Sequence, residues 1–455
     1  MNLLLARIAL VVCCTATCSG LLRAADKPSI LLIYADDAGF NDFSFQGAGE
    51  FKTPCIDRLA REGVVCTSGY MTGSVCVPSR AGMLTGRYQQ RFGVYSNDFS
   101  LNIPHAEPNF GEAVQPLGYR TGVIGKWQIG TDKGYWPTER GFDYFFGFLA
   151  GHRDYFAYKR NSKKAKNTSF RLMENDGLIN EFGKDFYTTD LFTEKAIAFM
   201  EESRQADEPF FLYLSHNAVH GPLQAKEDDK QPYVGLDDVK RRTLGGMIAA
   251  LDRSTGRLLE YLESSALREN TLVVFTNDNG GSPATNADNA PLNGHKGTIY
   301  EGGNRVPFVF SWPGRLPEGV EYDRPIISLD LYPTFVQLAG TDPSTLERPL
   351  DGVDLMPYIG GQKKGAPHEA LFWKMQDAAV RVGDWKLIRW DSRGGDCELF
   401  NLAEDIGEEN NVLEDHPDVA QSLKTKLEAW EADNASDSRK KKKVTPTGSP
   451  TVLVQ

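Results

Sequence analysis

Ser74-Val-Cys-Val-Pro-Ser-Arg-Ala-Gly-Met-Leu-Thr-Gly86 is the stretch on which the reading of this chain turns. Cys76 is followed two residues on by Pro78 and four on by Arg80. Proline suits the first turn of a helix, where its missing N–H would have had no partner, so Cys76 is expected at a helix mouth with free backbone donors aimed outward. A spacing of four puts Arg80 on the same face and adds a fixed cation to the positive end of the dipole. Such a mouth is a ready anion site. The same chemistry equally allows a small buried thiol at the start of an ordinary helix.

Outward from this helix, Ser29-Ile-Leu-Leu-Ile-Tyr34 is a continuous apolar run that suits a parallel strand buried on both faces, and it is followed by Asp36-Asp37. Alone, Asp-Asp after a strand reads as a solvated turn. A second acidic strand end, Thr271 to Thr276 followed by Asn277-Asp278-Asn279-Gly280-Gly281, repeats the arrangement. Ligands bind beyond the carboxyl ends of strands in open α/β sheets, and oxygen donors from two such ends favour Ca²⁺ or Mg²⁺ over zinc. Thr121 to Gly125 leading to Lys126-Trp127, and Pro209 to Leu214 leading to Ser215 through Pro222, continue the strand-then-polar pattern of a doubly wound sheet.

The pattern Cys76-x-Pro78-Ser79-Arg80-x-x-x-Leu84-Thr85-Gly86 resembles, at every fixed position, the signature of the type I, formylglycine-dependent sulfatases of the alkaline phosphatase superfamily. The resemblance extends from about Ser29 to Val412 and implies an α/β fold, an alkaline-phosphatase-like sandwich. Its large, mostly parallel sheet is flanked by helices, and a small C-terminal antiparallel sheet carries one helix. It implies that a maturation enzyme converts Cys76 to formylglycine, whose hydrated aldehyde is the nucleophile, held by Arg80 and deprotonated with help from Asp278. Asp36, Asp37, Asp278 and Asn279 match the ligands of one calcium ion, with Mg²⁺ the second choice. Lys126 and Lys296 match the lysines that bind the sulfate, and His220 matches the histidine that protonates the departing alcohol. His216, Glu301, Gly302, Gly303 and Arg305 are expected to be structural.

One position departs from the pattern. Most members carry histidine two residues after the lysine, where this chain has Gln128. An amide keeps the hydrogen bond but cannot take the proton whose loss expels sulfate, so either His152 substitutes as the base, or sulfate release becomes rate-limiting, or the position only orients the nucleophile and glutamine serves equally well. The implied reaction is hydrolysis of a sulfate ester on a sulfated sugar, a glycosaminoglycan or algal polysaccharide fragment. The alternatives are a phosphate mono- or diesterase of the same superfamily and a sulfated-glycan-binding relative without catalysis.

The 455 residues, 41% hydrophobic and 24% charged, suit one large domain and a smaller one. Residues 1–25 read as a signal peptide for secretion or export to the periplasm, with no membrane span elsewhere. Residues 26–360 are expected to form the catalytic domain, 361–433 the C-terminal subdomain and 434–455 a basic, disordered tail. In the subdomain, Val419, Leu423, Leu427 and Trp430 recur at helical spacing. A formal net charge of -11 argues against a nucleic-acid partner. Attraction of an anionic polymer then requires a local patch. The run His152 to Arg171, with Arg153, Lys159, Arg160, Lys163, Lys164, Lys166 and Arg171 among Tyr155, Phe156 and Tyr158, offers one, or is a solvated basic loop. Of seven cysteines, Cys13, Cys14 and Cys18 fall in the leader. Cys55 and Cys66 are left either to pair or, like Cys397, to stay free.

Overall fold

The computed structural model describes residues 27–434, apart from 48, 99 and 161. The expected leader and the basic tail beyond residue 434 lie outside the described residues. Strands form at Ser29–Ala35 (β1), Val64–Cys66 (β2), Gly69–Tyr70 (β3), Arg120–Lys126 (β4), Tyr144–Phe148 (β5), Met173–Glu174 (β6), Gly177–Leu178 (β7) and Phe210–Ser215 (β8). They continue at Thr271–Asn277 (β9), Phe308–Ser311 (β10), Val320–Tyr322 (β11), Ile326–Ile327 (β12), Leu371–Lys374 (β13), Ala378–Val382 (β14), Trp385–Trp390 (β15) and Asp396–Asn401 (β16). The helices that matter below are Pro54–Arg61 (α1), Cys76–Thr85 (α2), Thr188–Gln205 (α3), Val239–Ser264 (α4), Leu331–Leu338 (α5) and Pro417–Asp433 (α6).

Ten strands make one sheet in the order β11-β2-β10-β9-β1-β8-β4-β5-β6-β7. Its centre, from β9 through β5, is parallel, and the antiparallel pairings flank it. Successive side chains of a strand point to opposite faces, and β1 shows the result. Ile30, Leu32 and Tyr34 join a core with α2 and α5, while Leu31, Ile33 and Ala35 join one with α1, α3 and α4. Full burial of each such large apolar side chain contributes about 1.5–3 kcal/mol. An apolar run without polar alternation therefore dictates a central strand covered on both sides.

The C-terminal sheet is antiparallel in the order β13-β14-β15-β16, with α6 packed on β14 and β15. Leu423, Leu427 and Trp430 of the expected stripe are buried, but Ala420 takes the inner place and Val419 is only partly covered. Tyr70, Tyr88, Ile299 and Ile327 of the main body share this third core, so the small sheet is fused to the large one through apolar contact. Cys55, Cys66 and Cys397 are all free thiols. No helix among the described residues is long and apolar enough to cross a membrane.

Close approach of backbones decides one position. Gly125 has φ +112°, and a Cβ there would lie 1.9 Å from the Ser215 carbonyl oxygen on the neighbouring β8. Only glycine tolerates both conditions. Gly125→Ala is expected to lower unfolding free energy by at least about 2 kcal/mol in urea titration, through overpacking and backbone strain together.

Candidate active site

Four neighbouring strands, β9, β1, β8 and β4, end at one place. Asp36 and Asp37 follow β1, Asp278 and Asn279 follow β9, Lys126 closes β4, and His220 lies five residues past the end of β8. α2 brings its first residue, Cys76, to the same point, and it carries no side-chain N-cap. One backbone donor expected to be free there is not. The Val77 N–H donates to Asn97 Oδ1 at 3.1 Å.

The side chains form a closed network. Lys126 Nζ donates to Asp36 Oδ2 at 2.6 Å, and Lys296 Nζ donates to Asp37 Oδ2 at 2.6 Å. Arg80 donates to Asp278 Oδ2 at 3.0 Å, to Tyr213 Oη at 2.9 Å and to Ser215 Oγ at 2.6 Å. Its described hydrogen bonds go to these groups and not to Cys76. The Cys76 Sγ lies 3.8 Å from Asp36 Oδ1 and 3.5 Å from Lys296 Nζ. His220 Nε2 is 3.4 Å from Asp37 Oδ2, while Nδ1 meets the Gly221 carbonyl at 2.7 Å. A carbonyl only accepts, so Nδ1 carries a proton and Nε2 faces the site.

Asp36, Asp278, Asn279, Cys76, Arg80 and Lys126 are all wholly buried. Ions survive in such surroundings only when paired, and here Asp36, Asp37 and Asp278 face Arg80, Lys126 and Lys296. Burial and neighbouring Asp278 still push Asp36 up to about 6. Burial also opposes ionisation of Asp278, but Arg80, Lys126 and Lys296 hold it below the usual carboxylate range. Burial pushes the Cys76 thiol far up, with Asp278 adding to the effect. Burial opposes the charge of Lys296, yet Cys76, Asp37 and Asp36 keep it firmly protonated.

A hard cation fits the donor set. Asn279 Nδ2 donates to Asp37 Oδ1 at 2.8 Å, which leaves its Oδ1, a buried oxygen, without a partner. That oxygen and three carboxylates are the ligand chemistry of Ca²⁺ or Mg²⁺. Oxygen or sulfur atoms of Asp36, Asp37 and Cys76 and a ring nitrogen of His220 lie within 4.8 Å of one another.

Other expected residues sort differently. Gln128 is buried at φ +69°, its Nε2 donates to Asn97 Oδ1 at 3.3 Å, and its Oε1 has no partner. His152 stacks on His220 with ring centres 6.0 Å apart, and burial followed by His220, Lys164 and Lys126 lowers its pKa to about 4. His216 is buried against the Ser254 hydroxyl at 3.1 Å, a structural place. In the basic run Lys159, Arg160, Lys163 and Lys166 are exposed, while others are drawn into pairs. Arg153 is wholly buried and pairs with Glu181 at 2.7 Å. Tyr155 is buried and donates to the His220 and Asn217 carbonyls, Tyr158 is buried, and Lys164 pairs with Asp154 at 2.7 Å. Asn97, Tyr213 and Ser215 were not foreseen. Tyr213 and Ser215 sit inside or at the end of an apolar strand, and Asn97 lies in a segment without a motif, so none carried a signal beyond its position.

The family pattern described as Sulfatase matches residues 28–341, and the pattern of the N-sulphoglucosamine sulphohydrolase C-terminal region matches 295–433. The chain belongs to the sulfatase family. As a sulfatase it is a sulfuric ester hydrolase of the type I family, with the alkaline-phosphatase-like fold. N-acetylgalactosamine-6-sulfatase of Canis lupus familiaris is 33% identical over 395 residues, 82% of this chain and 73% of that one. Arylsulfatase J of Mus musculus is 30% identical over 457 residues, 88% of this sulfatase and 75% of the relative. The crystal structure of Ps i-CgsB in complex with k-i-k-neocarrahexaose superposes with a TM-score of 0.83 at 34% identity, covering 90% of this chain and 93% of that chain.

Removing divalent ions with a chelator and then adding Ca²⁺ is expected to raise the melting temperature. At an ion concentration one hundred times the dissociation constant, linkage contributes about 2.7 kcal/mol. Asp36→Ala should abolish the calcium-dependent shift, measured by differential scanning fluorimetry.

Proposed function

We propose that this sulfatase is exported and cleaves sulfate esters on a sulfated carbohydrate, with Cys76 converted by a maturation enzyme to formylglycine and a calcium ion held by Asp36, Asp37, Asp278 and Asn279. The observation that carries the reading is the convergence of Cys76, three carboxylates and three cations at adjacent strand ends. N-acetylgalactosamine-6-sulfatase and a structure bound to neocarrahexaose among the similar proteins favour a sugar as the substrate class.

When bound, calcium would draw negative charge off the sulfate oxygens, and formylglycine would supply an oxygen nucleophile where the Cys76 sulfur stands. The chain's own groups do the rest. Lys126 and Lys296 offset the charge of the sulfate group, an electrostatic contribution that is usually the largest in such sites. Arg80 keeps Asp278 ionised and in place to take a proton from the nucleophile. In its imidazolium form, with Nδ1–H held by the Gly221 carbonyl, His220 gives the Nε2 proton to the leaving alcohol oxygen and becomes neutral. Gln128 holds Asn97 and cannot accept a proton, whereas His152, beside His220 and unprotonated at neutral pH, can. We assign His152, which stacks on His220 beside the site, as the base for sulfate release.

Peptide mass spectrometry should find residue 76 as formylglycine in active material. A panel of mono-sulfated sugars, including N-acetylgalactosamine 6-sulfate and carrageenan oligosaccharides, should release free sulfate far faster than an aryl phosphate releases phosphate. Fully active protein with an unmodified thiol would refute the mechanism, and preference for phosphate would refute the substrate class. For His152→Ala on an aryl sulfate, rapid mixing should show a burst of alcohol followed by turnover reduced by about 10²–10⁴-fold, because release of sulfate has lost its base.

A further inference from the structure

The loop that carries Lys296 is clasped at both ends by one residue from the C-terminal part of the chain. The Glu408 carbonyl accepts from Asn293 Nδ2 at 3.3 Å, and its carboxylate accepts from the Glu301 N–H at 2.7 Å. The Gly302 N–H also donates to the Asn293 carbonyl at 2.7 Å, so residues 294–300 form a closed loop whose neck Glu408 grips. Inside the loop, the Lys296 N–H donates to Gly281 at 3.1 Å and the Gly297 N–H to Ser74 at 2.8 Å, which sets Nζ against Asp37 and Cys76.

Glu408 is itself an unusual placement. It is a buried carboxylate at φ +50°, a region that few non-glycine residues adopt. A buried carboxylate needs a countercharge, and Lys386 on β15 supplies it. The buried Nζ lies 2.9 Å from Glu301 Oε1 and 2.8 Å from Glu408 Oε1, so one ammonium bridges the two acidic residues at the neck. Arg305 at 3.4 Å and the Tyr70 hydroxyl hold the other oxygen of Glu301, and Arg381 bonds that hydroxyl in turn. None of these groups touches Cys76 or the metal-binding carboxylates in a described hydrogen bond.

We propose that Lys386 and Glu408 are positioning residues, which set the place of Lys296 Nζ over residue 76 from the C-terminal sheet region. This rests on the role given above to Lys296 in holding sulfate. The energetic reason is that removing one partner of a buried ion pair leaves the other uncompensated, and the two carboxylates at the neck then repel. A displacement of about 1 Å at a reacting centre is enough to lower the rate by up to about 10²-fold.

The test uses Lys386→Met and Glu408→Gln in the full, matured chain, each also in a Lys296→Ala background. Glu408→Gln keeps shape and an acceptor, and it carries the same comparison where Lys386→Met does not fold. On nitrophenyl sulfate, kcat/KM should fall about tenfold in the otherwise native chain and show no further fall with Lys296→Ala, because the loop then has no cation to misplace. Lys386→Arg, which keeps the bridging charge, should recover most of the loss. Hydrogen exchange read by mass spectrometry should quicken in peptides spanning 293–303 and stay protected in β1 and β9. The proposal is overturned by the same fold-loss in both backgrounds, by unchanged exchange at 293–303, or by loss of protection spread evenly over β1 and β9. Native activity in Lys296→Ala alone would remove the role of Lys296 and this proposal together, whereas an impaired Lys296→Ala without coupling removes only this proposal.

Discussion

Three buried carboxylates at the ends of adjacent strands, met by buried Arg80 and Lys126 and partly buried Lys296, are the constraint on which the rest of this structure depends. Taking such groups out of water is expensive by several kcal/mol per ion, and no single pair here is left to balance alone. Asp36 has Lys126, Asp37 has Lys296, and Asp278 has Arg80. Each cation arrives from a different element, so β4, the loop before β10 and α2 must all end at the same point for any of them to be stable. The fold supplies that coincidence through parallel strands of equal reach, and the charges in turn make a displaced strand end costly.

The same arrangement holds the cations of the site in fixed positions. An anion entering among Lys126, Lys296 and Arg80 would meet cations already fixed by carboxylates. A hard cation among Asp36, Asp37, Asp278 and the unpartnered Asn279 oxygen would shift the balance toward positive and favour the anion further. His220 sits at the edge of this field, in contact with Asp37 on one side and stacked on His152, with its Nδ1 fixed by backbone. Arg80 acts at one remove from Cys76, a division of labour that a helical-face argument based on spacing alone does not reveal.

The small C-terminal sheet is more than an appendage in this picture. Its core takes in Tyr70, Tyr88 and Ile299 from the main body, and its charged residues Lys386 and Arg381 point into a second buried ion cluster around Glu301. The first cluster surrounds Cys76, while the second holds the neck of the loop that carries Lys296. In both, carboxylates and cations from distant parts of the sequence meet, as Asp36 meets Lys126 and Glu301 meets Lys386.

Much of this was legible in the sequence. Continuous apolar runs at Ser29–Tyr34, Thr271–Thr276 and Pro209–Leu214 determined buried central strands, and Cys76-x-Pro78-Ser79-Arg80 determined the helix mouth and, through resemblance, the family. These are local signals, because burial on both faces and helix starts are written in consecutive residues. What only the tertiary structure decided is which charges meet. Arg153 looked like part of a basic surface and is instead buried against Glu181, while Asn97, Tyr213 and Ser215 entered the site without any motif. A charged or polar side chain has the same local pattern whether it faces solvent or a partner far along the chain. Only the folded arrangement, in which an unpaired buried charge is intolerable, selects between the two.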